Sequence, residues 1–357
     1  MSKDEIYIRR CIQLAQNGIC NTPPNPMVGA VIVCDDKIIG EGYHIRCGEN
    51  HAEVNAINSV KDQSLLKKAT LYVSLEPCSH YGKTPPCADL IIQKRIPRVV
   101  VGCIDPFSLV AGRGIRKLQE AGTDVTVGVL EKDCLELIKA FVIFNTQKRP
   151  YITLKWAESA DGFIDINRTE GSPIILSNAI TSMCTHKQRA EHKAILVGRR
   201  TAFLDNPSLT TRHWYGDSPI RMVIDKDLSL PSSLSLFDES VLTFIFNNRY
   251  SNADRHNVVY YQLNFDTNIL PQIAQVCYEQ KIQSLLVEGG SQLLQSFLDL
   301  GYWDDLYREQ TYITLNKGVK APIITNGLFR KCYLHHHSMI NYYENQNVKS
   351  LNSSTKN

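Results

Sequence analysis

What this chain lacks sets the first limits on what it can be. No uninterrupted apolar run approaches the roughly 18 residues that cross a bilayer, so no membrane-spanning helix and no membrane partner are expected. Charge of one sign is scarce: 39 lysines and arginines against 36 aspartates and glutamates leave a formal net charge of +3, which gives no electrostatic case for a nucleic-acid partner. The opening Met1-Ser2-Lys3-Asp4-Glu5 lacks the charged-then-apolar layout of a secretory leader, and the expected location is cytoplasmic. There is no internal repeat and no Gly-x-Gly-x-x-Gly dinucleotide fingerprint. The 11 cysteines are odd in number and spread over a long chain, which suits reduced thiols better than a disulfide framework.

What is present describes two folded units. A chain of 357 residues exceeds one ordinary core, and 43% apolar with 21% charged residues is typical of a globular protein. Ile8, Cys11, Ile12 and Ala15 fall at helical spacing and predict a helix over 4–17. The prolines of Thr22-Pro23-Pro24-Asn25-Pro26-Met27-Val28-Gly29 make the next stretch a rigid loop. Residues 30–33 and 37–40 read as strands around the turn Cys34-Asp35-Asp36. A helix starts at His51, a strand covers 71–75, a helix opens at Cys87, and strands at 99–102 and 125–129 flank a helix that follows Gly112-Arg113-Gly114. Periodicity lapses over 145–150. Alternation then resumes, with strands at 151–155, 194–198, 221–225, 241–246 and 284–288 and helices over 178–191 and 292–300. The alternation predicts an α/β layered architecture divided into residues 1–146, 147–340 and a polar, flexible tail over 341–357.

The chemistry concentrates in His51-Ala52-Glu53 and in Pro77-Cys78, eight further residues and Cys87. One imidazole and two thiols are three ligands for tetrahedral Zn²⁺ and leave the fourth position to a water. Glu53, two residues past the histidine, is close enough to move that water's protons without binding the metal. His-x-Glu followed by Pro-Cys and a second cysteine is the pattern of zinc-dependent nucleobase deaminases, although the thiols here stand further apart than Cys-x-x-Cys. Such a site attacks a ring carbon bearing an exocyclic amine and releases ammonia. A structural zinc with His80 as fourth ligand is the competing reading. Packing alone accounts for Cys11, Cys34, Cys103 and Cys134, but not for a His-x-Glu at a helix start.

These residues carry a family resemblance. Residues 22–29, Gly42-Tyr43-His44, His51-Ala52-Glu53, residues 75–87 with Glu76-Pro77-Cys78, Asp105-Pro106 and residues 110–114 resemble the deaminase half of the bifunctional riboflavin-biosynthesis deaminase–reductases, including the long spacing between the cysteines. Lys155-Trp156-Ala157, Asp161-Gly162, residues 185–190, 194–198, 205–212, 219–225 and 285–291 are similar to the reductase half. The resemblance implies a cytidine-deaminase-like three-layer domain followed by a dihydrofolate-reductase-like α/β domain, with Zn²⁺ and NADPH as cofactors. It also implies a phosphorylated aminopyrimidine substrate, a homo-oligomer, and two consecutive reactions: removal of a 2-amino group, then reduction of a ribosyl to a ribityl group.

Carried over residue by residue, Ala157, Thr201, Asp205, Lys226, Gly290 and Ser291 meet the cofactor, and Arg189, Leu209, Arg212 and Glu288 meet the substrate. Asn25, His44, Lys155 and Ser172 are further candidates. Gly289-Gly290-Ser291 between a strand and a helix independently lets main-chain N–H groups approach a phosphate, a turn for which glycine also has purely steric uses. The chain departs from the family at Ala160, where leucine is usual, at Leu204-Asp205-Asn206-Pro207 in place of Ala-Asp-Asp-Pro, and at Ile175-Leu176-Ser177 in place of Trp-Ile-Thr. Arg199 and Arg200 stand where small residues are commoner, and either pair with the 2′-phosphate of NADPH or are solvated. Leu334-His335-His336-His337 reads as a solvated strand rather than a metal tract. The runner-up is a zinc deaminase of another nucleoside or tRNA base with a non-catalytic second domain.

Overall fold

A computed structural model describes residues 1–79, 85–106, 112–249 and 255–346. The chain divides into two compact units, Met1–Lys148 and Arg149–Asn357. The first is built on the sheet β2-β1-β3-β4-β5, with β1 (Gly29–Cys34), β2 (Lys37–Tyr43), β3 (Thr70–Leu75), β4 (Arg98–Cys103) and β5 (Asp124–Val127). β1 runs antiparallel to β2 and β3, while β3, β4 and β5 are parallel. Asp35 and Asp36 both take positive φ, 48° and 57°, and close the β1–β2 hairpin; short polar side chains tolerate that region.

Both faces of this sheet are covered. Ala30, Ile32, Leu71, Val73, Val99 and Val101 face one way, against α2 (Ala52–Ser59), α3 (Cys87–Gln93) and α4 (Arg113–Glu120). Val31, Val33, Tyr72 and Val100 face the other, against α1 (Lys3–Ala15), α5 (Glu131–Leu137) and α6 (Lys139–Gln147). Two buried faces explain why β1 is apolar at every position rather than alternating. Sequence periodicity marks neither α5 nor α6. They are short, and Cys134 and Ile138 bury them against the α1 face.

The second unit holds a sheet of order β11-β10-β9-β8-β12-β6-β13-β16-β15. Its strands are β6 (Tyr151–Glu158), β8 (Ala194–Gly198), β9 (Ile220–Ile224), β10 (Thr243–Asn247), β11 (Val258–Gln262), β12 (Ser284–Val287), β13 (Asp305–Thr311), β15 (Gly327–His335) and β16 (Ser338–Asn345). A separate ribbon pairs β7 (Phe163–Asp165) with β14 (Val319–Lys320). The helices are α7 (Ala179–Glu191), α8 (Arg199–Asp205), α9 (Ile269–Glu279) and α10 (Ser291–Leu300). From β11 to β13 the pairs are parallel; β16 is antiparallel to both β13 and β15.

β16 corrects the expected tail over 341–357. Residues 341–345 are strand, because their polar groups find partners inside the unit: Tyr342 Oη donates to Asp305 Oδ1 at 2.7 Å, and Asn345 Nδ2 donates to the carbonyls of Gly301 and Trp303 at 3.0 and 2.7 Å. Residues 347–357 lie outside the described residues. The histidine tract is part strand and part turn: His335 closes β15, and His336, at φ 54°, turns the chain into β16.

The second unit begins on a buried ion pair. Arg149 donates to Asp304 through Nη1 at 2.6 Å and Nη2 at 2.8 Å, and Asp304 also accepts the Ile152 N–H at 2.8 Å. Removing one partner leaves an uncompensated charge in the interior. Asp304→Ala is therefore expected to destabilise this unit by roughly 3–5 kcal/mol. All three tryptophans, Trp156, Trp214 and Trp303, lie in it, so the urea midpoint followed by tryptophan fluorescence reads the change directly.

Candidate active sites

The first site forms where β3 ends and two helices begin. His51 is the extended residue preceding α2, Cys87 is the first residue of α3, and Cys78 follows Glu76-Pro77 just past β3. His51 Nδ1 lies 3.5 Å from Cys78 Sγ and 3.3 Å from Cys87 Sγ, and the three ligand atoms lie within 4.8 Å of one another. With Zn–S of about 2.3 Å and Zn–N of about 2.0 Å, a tetrahedron requires N···S edges of about 3.5 Å. The donor set and its spacing therefore fit zinc. Among the described residues this is the one such cluster. His80 lies outside the described residues.

The electrostatics suit a metal. The Cys78 thiol is pulled down to about 4, chiefly by the hydrogen bond from Cys87, with further help from His51 and from the Cys87 main-chain N–H at 3.2 Å, against the opposing effect of burial. The same bond and burial push the Cys87 thiol up. A thiolate is the form that ligates a metal. Glu53, in the first turn of α2, is only 3% exposed, and burial, reinforced by Cys78, lifts its carboxyl to about 7.

Asn25 and His44 are brought to the same place. His44 is buried, its ring stands edge-on to His51 at 5.5 Å, and burial lowers its pKa. Its Nδ1 faces the Asn50 carbonyl at 3.0 Å and therefore carries the proton, which leaves Nε2 to accept from Asn25 Nδ2 at 3.0 Å. Glu76, in the sequence no more than a neighbour of the Pro77-Cys78 pair, has a structural task. Its carboxylate accepts the N–H groups of Asp105, Gly112 and Gly114 at 3.3, 3.0 and 2.9 Å. A Cβ on Gly114 would come within 2.0 Å of the Pro77 carbonyl, so only glycine lets that segment lie against the Pro77-Cys78 ligand strand.

The second site is a cleft of about 870 Å³ in the second unit. It opens at the carboxyl ends of β6, β8, β9 and β12, where ligands sit in open parallel sheets. Lys155, Ala157, Thr201, Asp205, Lys226, Glu288, Gly290 and Ser291 all line it. Gly290 takes φ 68°, and a Cβ on Gly289 would press to 2.9 Å on Val197. Ser291 opens α10 and donates to the Lys320 carbonyl at 2.6 Å.

Four expected residues do not line this cleft. Arg189 stands behind Glu288, donating to both of its oxygens at 2.9 and 2.6 Å; burial alone would raise the Glu288 carboxyl, but Arg189 outweighs it and the value falls. Leu209 is 2% exposed and packs with Ile195, Val197 and Ala202, so any contact it makes with a ligand runs through its main chain. Arg212 is exposed, with Nη1 donating to Thr210 Oγ1 at 2.9 Å. Ser172 is exposed beside Pro173, which does line the cleft. The departure at Ile175 leaves an aliphatic side chain 80% exposed at the rim. Arg199 and Arg200 line the cleft and both are bonded, to Ser229 Oγ and to the Arg168 carbonyl, each at 2.8 Å.

Nothing in the sequence marks Arg168. It pairs with Asp205, with Asp165 at 2.8 Å and with the Leu204 carbonyl at 3.1 Å, so the Asp205 carboxylate reaches the cleft already engaged. Asp205 lies 37 residues away in the chain, beyond any local pattern.

Residues 1–103 match the cytidine and deoxycytidylate deaminase zinc-binding region, and residues 150–308 match the RibD C-terminal domain. The riboflavin biosynthesis protein RibD of Bacillus amyloliquefaciens is 40% identical over 334 residues, 91% of this chain and 88% of that protein. The chain belongs to the RibD family. Two RibD-family structures share its fold. That of a diaminohydroxyphosphoribosylaminopyrimidine deaminase/5-amino-6-(5-phosphoribosylamino)uracil reductase from Thermotoga maritima has TM-score 0.88 and 33% identity, covering 96% of this chain and 98% of that one. The structure of Acinetobacter baumannii RibD, form 1, has TM-score 0.87 and 28% identity, covering 96% of this chain and 99% of that one. The first unit is thus the cytidine-deaminase-like three-layer domain, and the second is the RibD reductase domain of dihydrofolate-reductase-like α/β type.

Two outcomes test these RibD sites. Cys87→Ala removes a thiolate ligand, and bound zinc measured by atomic emission after dialysis should fall from about one to below about 0.1 per chain, with NADPH binding retained. Full zinc retention would place the metal elsewhere. Gly290→Ala forces a side chain into a left-handed conformation and should cost the second unit on the order of 1–3 kcal/mol in urea unfolding.

Proposed function

We propose that this RibD-family chain performs two consecutive steps of riboflavin biosynthesis. The first unit hydrolytically removes the 2-amino group of 2,5-diamino-6-ribosylamino-4(3H)-pyrimidinone 5′-phosphate. The second reduces the ribosyl group of the deaminated product to ribityl at the expense of NADPH. The observation that carries the reading is the His51, Cys78 and Cys87 triad with buried Glu53 beside it, in a chain whose similarity to RibD proteins spans both units.

His51, Cys78 and Cys87 would hold a zinc ion, which when bound would lower the pKa of a water toward neutrality. Glu53 does the proton work: its carboxylate takes one proton from the attacking water and passes it to the ring nitrogen next to the attacked carbon. It then takes the second proton from the hydroxyl so formed and gives it to the departing amine, which leaves as ammonia. Asn25 and His44, fixed on one another beside His51, are assigned to the substrate.

In the cleft, NADPH when bound would supply a hydride. Gly290 and Ser291 bring main-chain N–H groups and the start of α10 to the cofactor's phosphates, with Thr201 and the Lys226 ammonium alongside. Glu288 meets the substrate with its geometry set by Arg189. Arg212, exposed beside Thr210, is assigned to the 5′-phosphate. The enzyme works in the cytoplasm on a small phosphorylated aminopyrimidine as a homo-oligomer. No described helix is long and apolar enough to cross a membrane, and the edge strand β15 exposes Phe329 and Leu334.

Glu53→Gln separates the two steps. It should keep zinc, lose roughly 10²–10⁴-fold in ammonia release, and still oxidise NADPH when given the deaminated intermediate. Undiminished ammonia release from the zinc-replete variant would remove Glu53 from the reaction. Absence of NADPH oxidation by the native enzyme with that intermediate would make the second unit non-catalytic.

A further inference from the structure

Under the cleft floor lies a carboxylate that neither cofactor binding nor the Arg189–Glu288 pair accounts for. β6 and β13 pair in parallel with Tyr307 opposite Lys155 and Glu309 opposite Ala157. Side chains alternate along a strand, so these four share one face, and Lys155 and Ala157 line the cleft. Glu309 is 1% exposed. Its Oε2 accepts the hydroxyl of Ser177 at 2.7 Å, the Lys155 ammonium lies 3.9 Å from that same oxygen, and Oε1 has no hydrogen-bond partner. A buried acceptor left bare is disfavoured, and no described packing need explains an acid at this point of a cleft floor.

What the acid does follows from donor and acceptor roles. A carboxylate only accepts, so the single hydroxyl proton of Ser177 is committed to Glu309. Ser177 also lines the cleft, and what remains for a ligand is its oxygen lone pairs. Lys155 has only donors to offer. The two therefore present an acceptor and a donor around one carboxylate, the complement of a ring edge that carries N–H beside C=O. The location points to the substrate rather than the dinucleotide, because the charge of Lys155 reaches the Glu288 carboxyl, whereas Gly290, Ser291 and Lys226 carry the phosphate-binding features.

Resting on the reductase reading of this cleft, we propose that Glu309 is a positioning residue that turns Ser177 into an acceptor for a ring N–H of the deaminated pyrimidine. Glu309 itself need not touch the ligand. The departure from Trp-Ile-Thr at Ile175-Leu176-Ser177 keeps a hydroxyl at its third position, as this role requires.

The test is a cycle between protein and ligand. Glu309→Gln can donate its amide N–H to Ser177 and free the hydroxyl to point into the cleft as a donor. KM for the deaminated intermediate should then rise about tenfold, the loss of one hydrogen bond, with kcat and NADPH affinity within about twofold of native. The intermediate methylated at one or the other ring nitrogen supplies the second side: one of the two analogues should bind the native enzyme about tenfold more weakly, and that penalty should vanish in the variant because the two changes remove one interaction. Equal methylation penalties in both proteins, or weakened NADPH binding in place of weakened pyrimidine binding, would overturn the proposal. Should Glu309→Gln fail to fold, Ser177→Ala carries the same cycle with the same two outcomes. Native turnover of the unmethylated intermediate is measured alongside, so failure of the reductase reading shows as no turnover at all.

Discussion

Three side chains from three separate segments must meet at one point, and the first unit is arranged around that meeting. His51 Nδ1 and the sulfurs of Cys78 and Cys87 can converge only because β3 stops at Leu75 where α2 and α3 both begin. The covered sheet beneath them fixes where those helix starts fall. Ala52, Ala56, Ala88 and Ile91 bury the two helices on Val73 and Val101, so the ligand positions are set by packing that exists before a metal arrives. Glu53 is buried by the same contacts that seat α2. The environment that makes it a strong proton acceptor is a consequence of the helix being docked.

The second unit solves a different problem with the same device. Its parallel strands also end along one line, and β6, β8, β9 and β12 deliver Ala157, Gly198, Lys226 and Gly290 to a shared cleft. Among its described residues there is no cluster of metal ligands. Buried ion pairs organise it: Arg189 with Glu288, Arg168 with Asp205, and Lys155 near Glu309. Each holds a carboxylate at a chosen angle, which suits a cleft that must place two ligands face to face. Breaking one partner of such a pair costs more than the pair contributes, so these acids are sensitive positions even where they touch no ligand.

Much of this architecture is legible in the sequence, for a physical reason. Strands buried on both faces leave apolar runs, glycines and prolines mark their ends, and packing alone rarely sets a His-x-Glu and two cysteines at helix starts and strand ends. What escapes has reasons as well. α5 and α6 are short and carry weak periodicity. β16 resembles a polar tail because its Tyr342 and Asn345 are satisfied by Asp305, Gly301 and Trp303, partners that composition does not reveal. Glu76 and Arg168 act on main-chain groups or acids some 30 residues away, which no window along the chain can detect. Leu209 and Arg189 are suggested by resemblance alone, and in the structure one is a core residue and the other a brace for Glu288.

The central claim is that zinc is held by one imidazole and two thiolates with its fourth position open. X-ray absorption at the zinc edge of the purified full-length protein tests it most directly. Two sulfur neighbours at about 2.3 Å and two nitrogen or oxygen neighbours at about 2.0 Å are predicted, with outer-shell scattering from a single imidazole ring. Scattering from two imidazoles, or a third sulfur, would mean that the protein closes the fourth position itself and that the metal is structural.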